Sequence, residues 1–235
     1  QPIKQREYSP RVSHITDDIA DSLEFLSYAC DHLPPMEVPV LPSQTGRVVV
    51  FVDAEGKRRR KHRPPSGHVG FVVYHPEFGR RHASAQVPPS LISLMDAMKK
   101  RDTYIGQFEL IGAIVPFISL PRYWLEGRPV ELWIDNTMAI GTLISGYAGK
   151  PDCARIVNMF HFAFARPGAT SLWIDYVNTG SNLADIPSRF HEMSAAEASA
   201  AAADLGERID SIVPTFASDD GQWLPFADIA RSVWG

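Results

Sequence analysis

Apolar runs of strand length and apolar stripes of helical spacing follow one another along this chain in an order that predicts a mixed sheet. Residues 1 to 46 open polar; Asp17 to Cys30 then carries Ile19, Leu23, Leu26 and Ala29 at helical spacing, before Pro34-Pro35, Pro39 and Pro42 break the chain. A first strand is predicted over 47 to 53, where Val48-Val49-Val50-Phe51-Val52 closes on Asp53. After a basic turn and Pro64-Pro65, His68 to Tyr74 reads as a strand returning beside the first. Pro76 and Gly79 mark a further turn, and Arg81 to Val87 alternates as a third strand.

Pro88-Pro89 opens a short amphipathic helix with Leu91, Leu94, Met95 and Met98 on one face. A longer helix is predicted from about Asp102. Its apolar stripe is Tyr104, Phe108, Ile111 and Val115, with Glu109 on the flank beside Ile105, Gly112 and Ala113. Pro116 is expected to kink or end it, because proline removes a backbone hydrogen bond and crowds the preceding turn. A fourth strand, 129 to 135, ends on Asp135. Helices follow over Met138 to Ser145, stopped by Gly146, and over Asp152 to Ala165, stopped by Pro167-Gly168. Ser171 to Val177 is the fifth strand, and Asn182 to Arg189 a short helical turn bearing Asp185. The sum is an α/β chain with a mixed five-stranded sheet, three antiparallel strands and then parallel ones, and helices on both faces. The expected organisation is a lead-in helix and proline-rich connection over 1 to 46, a core over 47 to 190 and a helical extension over 191 to 235. That extension holds an Ala-rich helix-prone stretch, Ser194 to Leu205, and a short terminal helix.

A hydrophobic content of 45% with 21% charged residues is ordinary for a globular chain, and no apolar stretch approaches the roughly 18 residues of a membrane span. No membrane partner is expected. Cys30 and Cys153 show neither a disulfide framework nor zinc-ligand spacing, which fits a reducing, intracellular setting. The start at Gln1, without an initiating Met or a signal pattern, points to a piece of a longer polypeptide. A net charge of -4 offers nucleic acid no global attraction, but Lys57 to Arg63 is a dense basic run just after Asp53. It reads either as a solvated hairpin tip or as a phosphate-contacting loop, and its nearness to Asp53 favours the second, with Arg58, Arg59 and Arg60 as contacts.

Four acids, Asp53, Glu109, Asp135 and Asp185, carry the chemistry. Carboxylates at the ends of buried strands are costly unless a cation meets them, and clustered carboxylates repel one another unless protonated or metal-bound. Together these four would supply oxygen ligands for two Mg2+ (or Mn2+) ions, which activate water on one side of a phosphodiester and stabilise the departing oxygen on the other. Each acid also has an ordinary explanation: Asp135 as a cap of the following helix, Glu109 as an exposed helix residue, Asp185 as a partner of Arg189. Asp175 repeats the tetrapeptide context of Asp135 in Leu172-Trp173-Ile174-Asp175, but inside a continuing strand, and is set aside. His161, expected to pack at a helix face within Met159-Phe160-His161-Phe162, and His191 are set aside as proton-transfer groups.

The residues around these acids resemble the ribonuclease H domain of retroelement reverse transcriptases, particularly the type in long-terminal-repeat and tyrosine-recombinase retrotransposons. The resemblance lies in Val52-Asp53-Ala54, Ile105-Gly106-Gln107-Phe108-Glu109-Leu110, Trp133-Ile134-Asp135-Asn136 with Ala139, and Asn182-Leu183-Ala184-Asp185-Ile186-Pro187-Ser188-Arg189. It spans about residues 47 to 190 and implies a ribonuclease H-like fold and Mg2+- or Mn2+-dependent cleavage of the RNA strand of an RNA/DNA hybrid. Asp53, Glu109, Asp135 and Asp185 would be the ligands, and the polymerase portion of the same polyprotein a partner. Asn136, Ser188 and Arg189 are expected at the substrate backbone, since hybrid recognition reads 2'-hydroxyls and phosphates. The loop Asn178-Thr179-Gly180-Ser181 lacks the His that cellular members often carry there, and Pro116 and the helix after Pro89 are also unusual. Two alternatives stand beside this: a binding domain of the same fold without turnover, and another nuclease or transposase-like enzyme on this fold.

Overall fold

The computed structural model describes residues 17–33, 46–61 and 63–234, so the predicted proline break and the polar opening lie outside the described residues. Helix α1 (Asp17–His32) forms as predicted, but its expected apolar stripe does not face the core: Ile19, Leu23 and Leu26 are exposed, and Tyr28 is buried instead, beside Phe162. The sheet begins with β1 (Val48–Lys57), β2 (Ser66–His75) and β3 (Gly79–Gln86), each antiparallel to the one before. After α2 (Pro89–Met98), α3 (Ile105–Ser119) and α4 (Arg122–Leu125), strand β4 (Pro129–Ile134) pairs parallel to β1. Then α5 (Thr137–Ser145) and α6 (Pro151–Ala165) lead to β5 (Ser171–Tyr176), parallel to β4. The short α7 (Asp185–Ser188) and α8 (Ala195–Ala201) precede β6 (Glu207–Arg208) and α9 (Phe226–Trp234). The sheet order is β5-β4-β1-β2-β3-β6. This is the predicted mixed α/β sheet, widened by β6, whose two residues are too short to leave a pattern in sequence. Among the described residues no helix is long and apolar enough to cross a membrane.

Helices cover both faces. Val69 and Gly70 are neighbours on β2 and so point to opposite sides of the sheet. A methyl at Gly112 of α3 would lie 3.7 Å from Val69 Cγ1, whereas one at Gly70 would fall 2.3 Å from the Ser188 backbone nitrogen of α7. Val50, Val52, Phe71, Phe108, Ile111, Leu132 and Phe160 form the centre of the core. Phe216 and Ile229 join the same cluster, so residues beyond 190 complete this core.

Three further local expectations change. The first strand does not stop at Asp53 but runs on to Lys57, because β2 keeps pairing with it through Lys57↔Ser66 after β4 has ended at Val52↔Ile134. The long helix starts at Ile105 and passes through Pro116 to Ser119. Every residue from Gln107 to Ile118 is buried, and that packing outweighs the ~3 kcal/mol an internal proline costs. His161 is exposed on α6, since the flanking Phe160 and Phe162 take the inward positions.

Candidate metal centre

The end of the β1–β4 pairing creates the site. Asp53 is the first residue of β1 beyond its last β4 partner, and Asp135 is the first residue after β4. Both therefore emerge where the parallel pair opens, at the carboxyl end of β4, which is where open α/β sheets accept ligands. Asn136 then caps α5, its Oδ1 accepting from the Met138 and Ala139 nitrogens at 3.1 Å each. The capping role that offered an ordinary explanation for Asp135 thus belongs to its neighbour.

Helix α3 brings the third acid. The helix packs directly on β1 at Gly112, where a methyl would reach ordinary contact with the Asp53 carbonyl oxygen at 3.4 Å. One turn earlier, Glu109 is 5% exposed and reaches the same opening, so it is no ordinary surface residue. Carboxylate oxygens of Asp53, Glu109 and Asp135 all lie within 4.8 Å of one another.

The electrostatics of this triad are unbalanced. Burial pushes the Asp53 carboxyl up to about 6; the Ser188 hydroxyl opposes the rise, and Asp135 and Asp185 add to it. Burial pushes Glu109 up to about 9, with Asp53 and Asp135 adding their charge. The cation that acts on Asp53 is Arg189, whose charge also opposes the rise and which is ion-paired with Asp185 at 2.7 Å. Glu109 Oε2 is buried without a hydrogen-bond partner. An all-oxygen, anionic, partly unpartnered donor set suits a hard divalent cation such as Mg2+ or Mn2+, so these residues fit the metal implied by the sequence.

Asp185 lies outside this group. It stands at the start of α7, ion-paired with Arg189, yet near enough to raise Asp53. Ser188, expected at the substrate backbone, is instead fully buried, and its hydroxyl donates to Asp53 Oδ2 at 2.5 Å. Arg189 is exposed but holds Asp185. In the basic turn, Arg59 is drawn inward to Asp96 and to the Arg101 carbonyl, which removes it from the predicted phosphate contacts; Arg58 and Arg60 remain exposed. Arg60 and Arg63 exchange backbone hydrogen bonds that close the hairpin tip.

Two supporting residues escaped sequence reasoning. Asn182 is buried; its Nδ2 donates to the Val52 carbonyl at 3.0 Å and its Oδ1 accepts from the Ala184 nitrogen. Gly70 faces Asp53 directly across the β1–β2 ladder. A glycine inside a strand pattern signals a close backbone approach, and that signal was present in the sequence. Asp175, bonded to Trp173 Nε1 and the Tyr176 nitrogen, stays apart as predicted. His191 pairs with Glu55 at 3.1 Å and stacks on His68.

No family model matches this chain, and no curated protein does. Among solved structures, it is similar to RNase H1 from the halophilic archaeon Halobacterium salinarum NRC-1, with 16% identity, 63% of this chain and 100% of that one covered, and a TM-score of 0.46. The N-terminal RNase H domain of rv2228c from Mycobacterium tuberculosis is 12% identical over 68% of this chain and 99% of that one, with a TM-score of 0.40. LC11-RNase H1, solved in complex with an RNA/DNA hybrid, is 14% identical over 60% and 92%, with a TM-score of 0.44.

Proposed function

We propose that this chain is a divalent-metal-dependent nuclease that hydrolyses the RNA strand of RNA/DNA hybrids, as the ribonuclease H portion of a retroelement reverse transcriptase. One observation carries the reading: acids from three separated motifs, Asp53, Glu109 and Asp135, meet within 4.8 Å, with a buried Glu109 oxygen left unpartnered. Three of the four motifs that resemble the family in sequence bring their carboxylates together, and the fourth sets Asp185 near enough to act on Asp53. Bound Mg2+ or Mn2+ would be held by Asp53, Glu109 and Asp135, with Asp185 completing the site of a second ion, and would supply an activated water and charge stabilisation for the departing oxygen.

The chain's own residues set up that hydrolysis. Water adds to phosphorus as the bond to the departing sugar oxygen breaks, and that oxygen takes up a proton. Asp53 and Asp135, on either side of the strand opening, define where the scissile phosphate sits. Glu109 closes the centre from the helix side, and α3 excludes bulk water beneath it. Arg58 and Arg60, exposed at the hairpin tip, offer phosphate contacts further along the duplex.

The test is cleavage of RNA/DNA hybrid, duplex RNA and duplex DNA in Mg2+ or Mn2+, with Asp53→Asn and Asp135→Asn as controls. Cleavage confined to the hybrid's RNA strand and lost in both variants is the expected result. Cutting duplex DNA but not hybrid would overturn the substrate, and hybrid binding without cleavage by either metal would favour a binding domain.

A further inference from the structure

We infer that Ser188 is a positioning residue for the metal centre, acting through Asp53 and not through the substrate. This inference rests on the metal-centre reading above. Ser188 is fully buried at the end of α7, and its single hydroxyl proton has two acceptors within reach: Asp53 Oδ2 at 2.5 Å and the Asp185 carbonyl oxygen at 3.0 Å. The carboxylate is nearer, and a hydrogen bond to an ionised acceptor is roughly twice as strong as a neutral one. The hydroxyl therefore pins one oxygen of Asp53.

The surroundings are arranged to allow this bond. Gly70, opposite Asp53 on β2, leaves the space that the α7 backbone fills; a methyl there would fall 2.3 Å from the Ser188 nitrogen and 2.8 Å from the Pro187 carbonyl carbon. Ahead of α7, Asn182 ties the chain to the carbonyl of Val52, the residue before Asp53. Two buried side chains thus clamp the α7 segment to β1, one at Val52 and one at Asp53.

Two consequences follow for the centre. With Oδ2 engaged, Asp53 presents Oδ1 as its free oxygen, a one-oxygen ligand whose orientation is set before any cation arrives. The same bond holds α7, and with it Asp185, at a constant distance from Asp53. Losing the hydroxyl leaves the carboxylate free to rotate and removes the α7 segment's side-chain hydrogen bond to Asp53, while the Asn182 bond to Val52 remains.

The experiment measures Mn2+ binding to the full chain by electron paramagnetic resonance, alongside metal-free thermal unfolding, for wild type, Ser188→Ala, Ser188→Thr, Gly70→Ala and Asp53→Asn. Ser188→Ala should weaken Mn2+ by roughly 10–100-fold, the usual effect of removing a partner of a metal ligand. Ser188→Thr, which keeps the hydroxyl, should bind more tightly than Ser188→Ala, and Gly70→Ala, which lifts α7, should weaken binding as Ser188→Ala does. A folded Ser188→Ala with wild-type Mn2+ affinity overturns the inference. If both Ser188 variants fail to fold, Gly70→Ala decides: unchanged affinity in its folded form overturns the inference equally. Asp53→Asn separates the two levels, because unaltered Mn2+ binding in that variant defeats the metal-centre reading itself.

Discussion

Helix α3 carries two buried polar residues two positions apart, Gln107 and Glu109, and they serve opposite electrostatic designs. Gln107 donates to Asp152, which is 1% exposed and also accepts from Arg101 Nη1 at 2.5 Å. Burial works to raise Asp152, but hydrogen bonds from Arg101 and Gln107, with the Arg101 charge, outweigh it and hold the carboxyl below its usual range. Glu109 is as buried and meets further carboxylates, and its pKa goes up to about 9. Burial raises both carboxyls and is the largest cause of the rise at Glu109; what reverses the outcome at Asp152 is the cation and the donors beside it, where Glu109 has further carboxylates instead. The Glu55–His191–Glu192 group is intermediate: its oxygens and imidazole are also mutually close, but Lys57 pairs with Glu192 at 2.8 Å and His191 with Glu55.

The sharpest way to break this comparison is to remove one acid from each site. Asp152→Ala leaves the mostly buried Arg101 unpaired and should cost about 3–5 kcal/mol in denaturant unfolding. Glu109→Gln should leave metal-free stability equal or raised, because it relieves repulsion, while hybrid cleavage drops to background. Equal destabilisation by both variants would erase the distinction.

Proton linkage gives the next largest effect. Folded Asp53 and Glu109 hold protons that the unfolded chain releases, so metal-free stability should fall as pH rises, from 3.8 to about 6 for Asp53 and from 4.5 to about 9 for Glu109. Asp152 acts in reverse: its contribution is present above 3.8 and is lost as pH falls through its depressed folded value. Melting curves across this range with and without Mg2+ test both signs. A metal-free protein that gains stability between pH 5 and 9, or Mg2+ that stabilises no more at pH 8 than at pH 5, would contradict the assignment.

Smaller effects sharpen the picture. Asn182→Ala strands the Val52 carbonyl and Ala184 nitrogen and should cost about 1–3 kcal/mol by chemical denaturation. In hybrid binding measured against salt, Arg58→Ala and Arg60→Ala should each reduce the logarithmic slope by about one. Arg59→Ala should leave that slope unchanged, because its guanidinium already serves Asp96.

Much of the fold was legible because its signals are local. The apolar run of β1, the alternation of β3, the stripe of α3, the proline-led start of α2 and the Pro167-Gly168 stop of α6 each lie within one turn or strand of the residues that define them. The signals that failed were those settled by distant partners. Where β1 ends depends on β2 continuing after β4 stops, and Pro116 is tolerated because α3 is enclosed. The candidate acids were visible as residue types in strand-end and helix contexts, but Ser188 and Arg59 were placed facing the wrong way. Sequence proximity to a reactive residue does not reveal which side of the backbone a side chain takes.

By itself, the sequence determined the element order, the mixed sheet and the acids worth watching, since periodicity and turn chemistry are properties of neighbouring residues. Only the tertiary structure decided that Asp53, Glu109 and Asp135 share one opening while Asp185 stands aside with Arg189, and that Asp152 has a cation and Glu109 none. The physical reason is that desolvation and Coulomb interactions depend on distances between segments far apart in the chain, and folding sets those distances.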